Sequence, residues 1–373
     1  MIRIRRVLAV LGISLVVILG GVKLLFGGGD PFPDSSTPPS VSEVEIAATL
    51  ALPPGCVTVS PDGRVFFDTH PFAGPGRFGA PHVFELVDGE ARPWPDEERQ
   101  DLFVAPFGIT ADGHGRLWIT EPATLDRSAT RILGFDVVSG QLIFEHTLPE
   151  GEGRFAQDLR VSPDGRKIVL ADTGAFRFTP GQLLVLDIET KQLERTFRHE
   201  SLDPQDWFIQ RFDGAPHRVG WGLLTFQVGV DGISFSPDGE WLYYATMSHD
   251  TLYRVPTALL LEPSVGDAAL ADAIEPVGGK PQSDGIATTA DGRVLLTDVE
   301  HGGIAEMAAN GSLRTLTASD DVVWADSVEV GPDGAIWFTD SAIPAYLQQS
   351  MLPPPREVLD AAGPYHLYRF RSP

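Results

Sequence analysis

One short pattern recurs six times along this 373-residue chain and constrains its fold more than any other feature. Each copy is an apolar stretch, a turn built on Asp-Gly, and a second stretch rich in β-branched and aromatic residues. The copies are CVTVSPDGRVFFDT (56–69), FGITADGHGRLWITE (107–121), DLRVSPDGRKIVLAD (158–172), DGISFSPDGEWLYYAT (231–246), DGIATTADGRVLLTD (284–298) and DSVEVGPDGAIWFTD (326–340). Asp-Gly supplies the positive φ that a tight turn needs, and the flanking alternation suits strands, so each copy reads as a β-hairpin. A third strand follows each, at 82–89, 131–140, 182–191, 251–258, 303–311 and 365–372. The turn glycines Gly63, Gly113, Gly165, Gly239, Gly292 and Gly334 lie 50, 52, 74, 53 and 42 residues apart. A small antiparallel sheet cannot bury both of its faces alone, and repeats of this length stack into a ring. The sequence therefore predicts an all-β, six-bladed β-propeller.

The 74-residue interval holds an insertion around 201–222 (SLDPQDWFIQRFDGAPHRVGWG), long, aromatic and polar in the manner of functional loops. A short helix is expected within 263–274, and another long connection runs from 342 to 363.

The propeller accounts for residues 41–373. Ahead of it, Arg3, Arg5 and Arg6 precede an uncharged run over 7–22, followed by Lys23 and Leu24–Phe26. With Lys23 snorkelling, residues 7–26 approach the roughly 20 needed to span a bilayer. Residues 1–26 read as a signal peptide or signal anchor. No clear small-residue cleavage site follows, which favours an anchor, and the leading arginines place the body outside the membrane, in the periplasm if the cell has one. Residues 27–40 (GGGDPFPDSSTPPS) read as a flexible linker.

Charge narrows the partners. The net charge is −23, and residues 1–26 hold four basic and no acidic residues, so the remainder sets 24 basic against 51 acidic. Such a body repels phosphate backbones, which argues against nucleic acid and favours cationic small molecules or metal ions. The single cysteine, Cys56, excludes an intramolecular disulfide and a thiolate zinc site; it is expected as a small buried side chain in the first blade.

In a propeller the inner strand of each blade lines the central channel, so residues at its start converge. Four repeats begin with aspartate in one register, Asp158, Asp231, Asp284 and Asp326, and Phe107 holds the equivalent place in the second. Carboxylates crowded at an axis repel one another unless a cation, an amine, water or a proton compensates. These five residues are the candidate ligand-binding set, and Asp231 with Asp284 the candidate ligands of a divalent cation, calcium or zinc. An aspartate before glycine also has a plainer reading, as an acceptor in a local turn. Asp172, Asp298, Asp340 and Glu121, at the ends of second strands, are expected as solvated loop residues. His249, His301, Trp207, Phe208 and Trp221 are expected to pack, although aromatics around an acidic mouth would suit an amine. No HExxH, GxSxG, Walker or dinucleotide fingerprint is present.

The stretches AQDLRVSPDGRKIVLADTG, LLVLDIETKQLERTFRHES and GVDGISFSPDGEWLYYATMSHDTLYRVPTALL, continued by SDGIATTADG and ADSVEVGPDGAIWFTDS, resemble the yellow/major royal jelly protein family. The resemblance implies a six-bladed propeller whose relatives bind small ligands, including biogenic amines, in the channel, some being linked to dopachrome conversion. The cysteine pairs usual in secreted insect members are missing. A weaker resemblance, to gluconolactonase/regucalcin-like propellers, implies a divalent metal at the channel mouth and a lactonase or tautomerase. Asp231-Gly and Asp284-Gly match its motifs and Asp158 falls at an asparagine position, while its first-blade glutamate has no counterpart near Cys56. A binding module, an enzyme and a protein-docking platform thus remain as readings.

Overall fold

The structure, a computed structural model, describes the chain except residues 1, 42, 124–127, 211–213, 348–351 and 373 and the side chains of residues 2–9. Six four-stranded antiparallel sheets are arranged as blades. Their innermost strands are Pro54–Val59, Gly108–Ala111, Ala156–Val161, Val230–Phe235, Ile286–Thr288 and Ala325–Val330. Each inner strand packs beside the next, and the last returns to the first. All six expected hairpins and all six third strands form.

The ring closes non-locally. Glu45–Leu50 pairs with Tyr365–Arg371 and so becomes the outer strand of the sixth blade. This latch removes the open edges that an unclosed ring would expose. Between blades the cores are aromatic and aliphatic: Phe66, Trp94, Ile109, Leu117 and Phe135 join the first two, for example. Each fully buried large side chain there contributes roughly 2–3 kcal/mol of transfer free energy.

The turns differ in one place from expectation. Gly63, Gly165, Gly239, Gly292 and Gly334 have positive φ, but in the second blade Gly115, not Gly113, takes it, because the ADGHG turn is longer. The expected short helix forms at Asp267–Asp272, and the long connection after 342 contains helices Ile343–Tyr346 and Arg356–Ala362 around its undescribed residues 348–351.

In antiparallel blades the loops leading into the inner strands and those after the second strands share one face, while the Asp-Gly turns share the other. On the loop face, the insertion contributes Ile209, Val219 and Phe226 to a buried cap with Met247, Val299, Trp324, Ile343 and Tyr346; its residues 211–213 lie outside the described set. The N-terminal run is a helix, Ile2–Phe26. Among the described residues no helix is long and apolar enough to cross a membrane. Residues 27–40 lie along the propeller: Asp30–Pro31 pairs with Trp207–Phe208, and Thr37, Ser40 and Val41 bond to Thr315 and Leu316.

Candidate functional site

The four register aspartates converge. Asp158, Asp231, Asp284 and Asp326 line one small axial cavity with Phe107, Cys56, Gln157, Arg160 and Ser327. A break in register of the inner strand occurs between Pro54 and Val57, Ala156 and Asp158, Val230 and Gly232, and Ala325 and Val328. Such bulges re-aim side chains, and here they fall where the strands begin, at the axis. The glycine after the aspartate is there for packing and not for a turn. A Cβ on Gly232 would sit 2.7 Å from the Ile286 nitrogen, and one on Gly285 would sit 2.8 Å from the Asp326 carbonyl oxygen, so neighbouring inner strands could not approach. The turn reading of these Asp-Gly pairs is thereby corrected.

The carboxyls are unequally satisfied. Asp158 accepts from the backbone of Leu159 at 2.7 Å, Ile233 at 2.9 Å and the Arg160 guanidinium at 2.8 Å. Asp284 accepts from Trp324 Nε1 at 2.6 Å, and its carboxyl is raised by burial and by the neighbouring Asp231 carboxyl. Asp231 Oδ2 and Asp326 Oδ2 are buried without a hydrogen-bond partner. Burial first, then the neighbouring carboxyls, push Asp231, Asp284 and Asp326 well above the usual carboxylate range. Asp158 rises less, because Arg160 opposes its burial.

Sequence reading missed three members of this centre. Asp68, whose Oδ1 accepts from the Cys56 amide at 2.8 Å, is buried and also raised by burial and by Asp326. His70 is buried with Nε2 3.7 Å from Asp326 Oδ2, while its Nδ1 accepts the Phe72 amide; burial lowers its pKa to about 3, so it is neutral. Arg160 is the guanidinium facing Asp158. One signal was present: second strands read Thr297-Asp298 and Thr339-Asp340, but Asp68-Thr69 reverses the order, which places a carboxylate where the fifth and sixth blades carry a hydroxyl. Cys56 lines the same cavity, partly exposed, its thiol held protonated by burial and the surrounding carboxylates.

The carboxylates at the second-strand ends are a correction. Glu121, Asp172, Asp298 and Asp340 are all buried, not solvated. Asp340 accepts from the amides of Val323, Trp324 and Ala342; Asp172 from Phe155 and Gly174; Glu121 from Val104 and Ala105; Asp298 from Glu300 and His301. Each staples loops on the loop face. Trp207 is packed against Phe32, but Trp221 is 75% exposed, against the expectation that it packs.

Above the axial cavity lies an apolar vestibule of about 240 Å³, lined by Phe72, Phe107, Phe155, Phe176, Phe226 and Val228 among others. Phe107 and Gln157 line both spaces. The axial cavity is only about 20 Å³, room for a single water-sized group. Phe107 meets Phe72 edge-on at 5.5 Å and His70 at 5.2 Å, so the aromatic wall runs down to the carboxyls.

The residues do not fit the metal site expected from the weaker resemblance. Among the described residues no three His, Cys, Asp or Glu side chains are disposed to hold an ion, and Asp284 Oδ2 is engaged by Trp324 Nε1. Calcium and structural or catalytic zinc need larger protein ligand sets.

Blades, closure and buried acidic centre define a six-bladed β-propeller with a covered loop face. The chain belongs to the major royal jelly protein family, whose model matches residues 104–351. Among solved structures it is similar to a gluconolactonase from Xanthomonas campestris, at 15% identity over 93% of this chain and 98% of that one, TM-score 0.56. A luciferin-regenerating enzyme is similar at 11% identity over 88% and 95%, TM-score 0.55, and a putative gluconolactonase at 13% over 90% and 93%, TM-score 0.54. At such identities the likeness is one of fold. A search of curated protein sequences finds no match.

Proposed function

We propose that this chain is an extracytoplasmic binding protein, anchored by its N-terminal helix, for a small cation with an aromatic or apolar body. The adjacency of an aromatic vestibule to an axial cavity with two unpartnered, buried carboxyl oxygens, the two spaces sharing Phe107 and Gln157, carries this reading. The apolar body occupies the space among Phe72, Phe107, Phe176 and Phe226, and an ammonium group reaches Asp231 Oδ2. Phenylalanine faces add cation–π attraction, and a charge arriving at the axis lets the raised carboxyls ionise. The family's resemblance to amine-binding relatives supports the same chemistry.

The test is thermal melting with tyramine and with 4-ethylphenol, which keeps the ring and lacks the ammonium. Tyramine is expected to raise the melting temperature by a few degrees, an order-of-magnitude figure for a moderately bound ligand, and 4-ethylphenol by less than half as much. No shift across a panel of aromatic and alkyl amines would overturn the reading and leave a protein-docking platform.

His70 supports an enzymatic second reading. Because Nδ1 accepts the Phe72 amide, Nε2 carries the proton and faces Asp326, which lines the axial cavity, a pair able to move a proton in a tautomerisation. Dopachrome consumed faster than in buffer, with the excess lost in His70→Asn, would favour it; an unaltered rate would eliminate it.

A further inference from the structure

We propose that the loop face of the propeller rests on a lipid bilayer, so that the vestibule fills from the membrane and takes a membrane-partitioning amphiphilic amine. The proposal rests on reading Ile2–Phe26 as an anchor. Val10, Leu11, Ile13, Leu15, Val16, Val17 and Ile18 are each more than half exposed, so over residues 10–18 the helix presents apolar side chains all round.

That helix leaves the body at the loop face with almost no slack. The Phe26 ring lies 4.3 Å from Phe178, and a Cβ on Gly27 would stand 2.6 Å from the Leu223 carbonyl oxygen. Three residues later, Asp30 already pairs with Trp207. Around this exit the exposed side chains are Trp221 at 75%, Leu24 at 84%, Leu25 at 65% and Phe178 at 49%, with Lys23 and Arg218 beside them. A tryptophan with flanking cations is the composition of a membrane interface. Phe176, two residues before Phe178, lines the vestibule, as does Phe155, itself 39% exposed. One loop therefore joins the helix exit to the vestibule wall. The opposite face carries the exposed turn aspartates Asp62, Asp164, Asp238, Asp291 and Asp333 and would be repelled by a bilayer.

The test uses the full chain reconstituted in phosphatidylcholine vesicles with brominated acyl chains. Bromine is expected to quench the intrinsic fluorescence, with about half or more of the quenching lost in Trp221→Phe, because quenching needs contact with the chains and Trp94, Trp118, Trp324 and Trp337 are buried. A dye on Val138→Cys, at an 87% exposed turn of the opposite face, should stay unquenched. Protein that floats with vesicles yet keeps its quenching in Trp221→Phe, or shows a quenched dye at 138, overturns the orientation while sparing the anchor. Protein that does not float overturns the anchor reading and with it this proposal. Dodecylamine supplied in the vesicles should raise the melting temperature more than aqueous tyramine at equal total concentration; a shift with tyramine alone would defeat the membrane route and leave the amine site standing.

Discussion

Two sets of buried carboxyls in this propeller come from the same repeats and face opposite fates. The second-strand set, Asp172, Asp298, Asp340 and Glu121, is wrapped by backbone amides that would otherwise be buried without acceptors. The axial set, Asp231, Asp284 and Asp326, has few donors around it, and two of its oxygens have no partner. Burial alone does not distinguish structure from function; what fills the acceptor positions does. A buried carboxylate supplied with amides holds a fold together, whereas one left short is a place for a proton or a ligand.

The largest expected effect comes from breaking the first set. Asp340→Ala strands the amides of Val323, Trp324 and Ala342, and each unsatisfied buried group costs about 1–3 kcal/mol. Stability should fall by about 3 kcal/mol or more and the melting temperature by something on the order of 5 °C, while the tyramine-induced shift survives. Calorimetric melting with and without tyramine checks both halves.

A smaller effect sharpens the second set. Replacing both Asp231 and Asp284 with Asn keeps an acceptor for Trp324 and removes like-charge repulsion, so the unliganded melting temperature should hold or rise by about a degree or two. The amine-dependent shift should vanish. A double variant that melts well below the parent would mean that the axial carboxyls are structural like the others.

The smallest effect is in the pH dependence. The folded-state pKa values of Asp231, Asp284 and Asp326 lie above their unfolded values. Their contribution is fully present below about pH 4, the unfolded aspartate range, and is lost as pH rises through the folded values. Over that rise the parent should lose melting temperature relative to the Asn double variant, by about a degree on an order-of-magnitude view. Parallel curves would contradict the raised carboxyls.

Much of this molecule was legible in its sequence because blade formation is signalled locally, by period-two alternation around Asp-Gly turns. The outer strands were not, since Glu90–Pro93 and Leu193–Phe197 are short, lie at the outer edge of their sheets and carry charged residues in place of a clear apolar alternation. Nor was the latch, since Glu45–Leu50 finds its partner more than 300 residues away. The convergence of Asp158, Asp231, Asp284 and Asp326 followed from register, because a ring turns equal register into proximity. The burial of Asp340 and Asp172 did not, because it depends on loops from other blades folding over strand ends. Trp221 misled for the same reason: its exposure depends on where the insertion hairpin and N-terminal helix dock.

The most direct measurement is calorimetric titration of the full chain with tyramine at pH 6 and pH 8, in buffers of differing ionisation heat. Raised carboxyls must release protons to receive an ammonium group, so the expected result is tighter binding at pH 8 with net proton release, both abolished when Asp231 and Asp284 are replaced by Asn. Binding with no proton release and the same affinity in the Asn double variant would place the amine elsewhere and contradict the axial site.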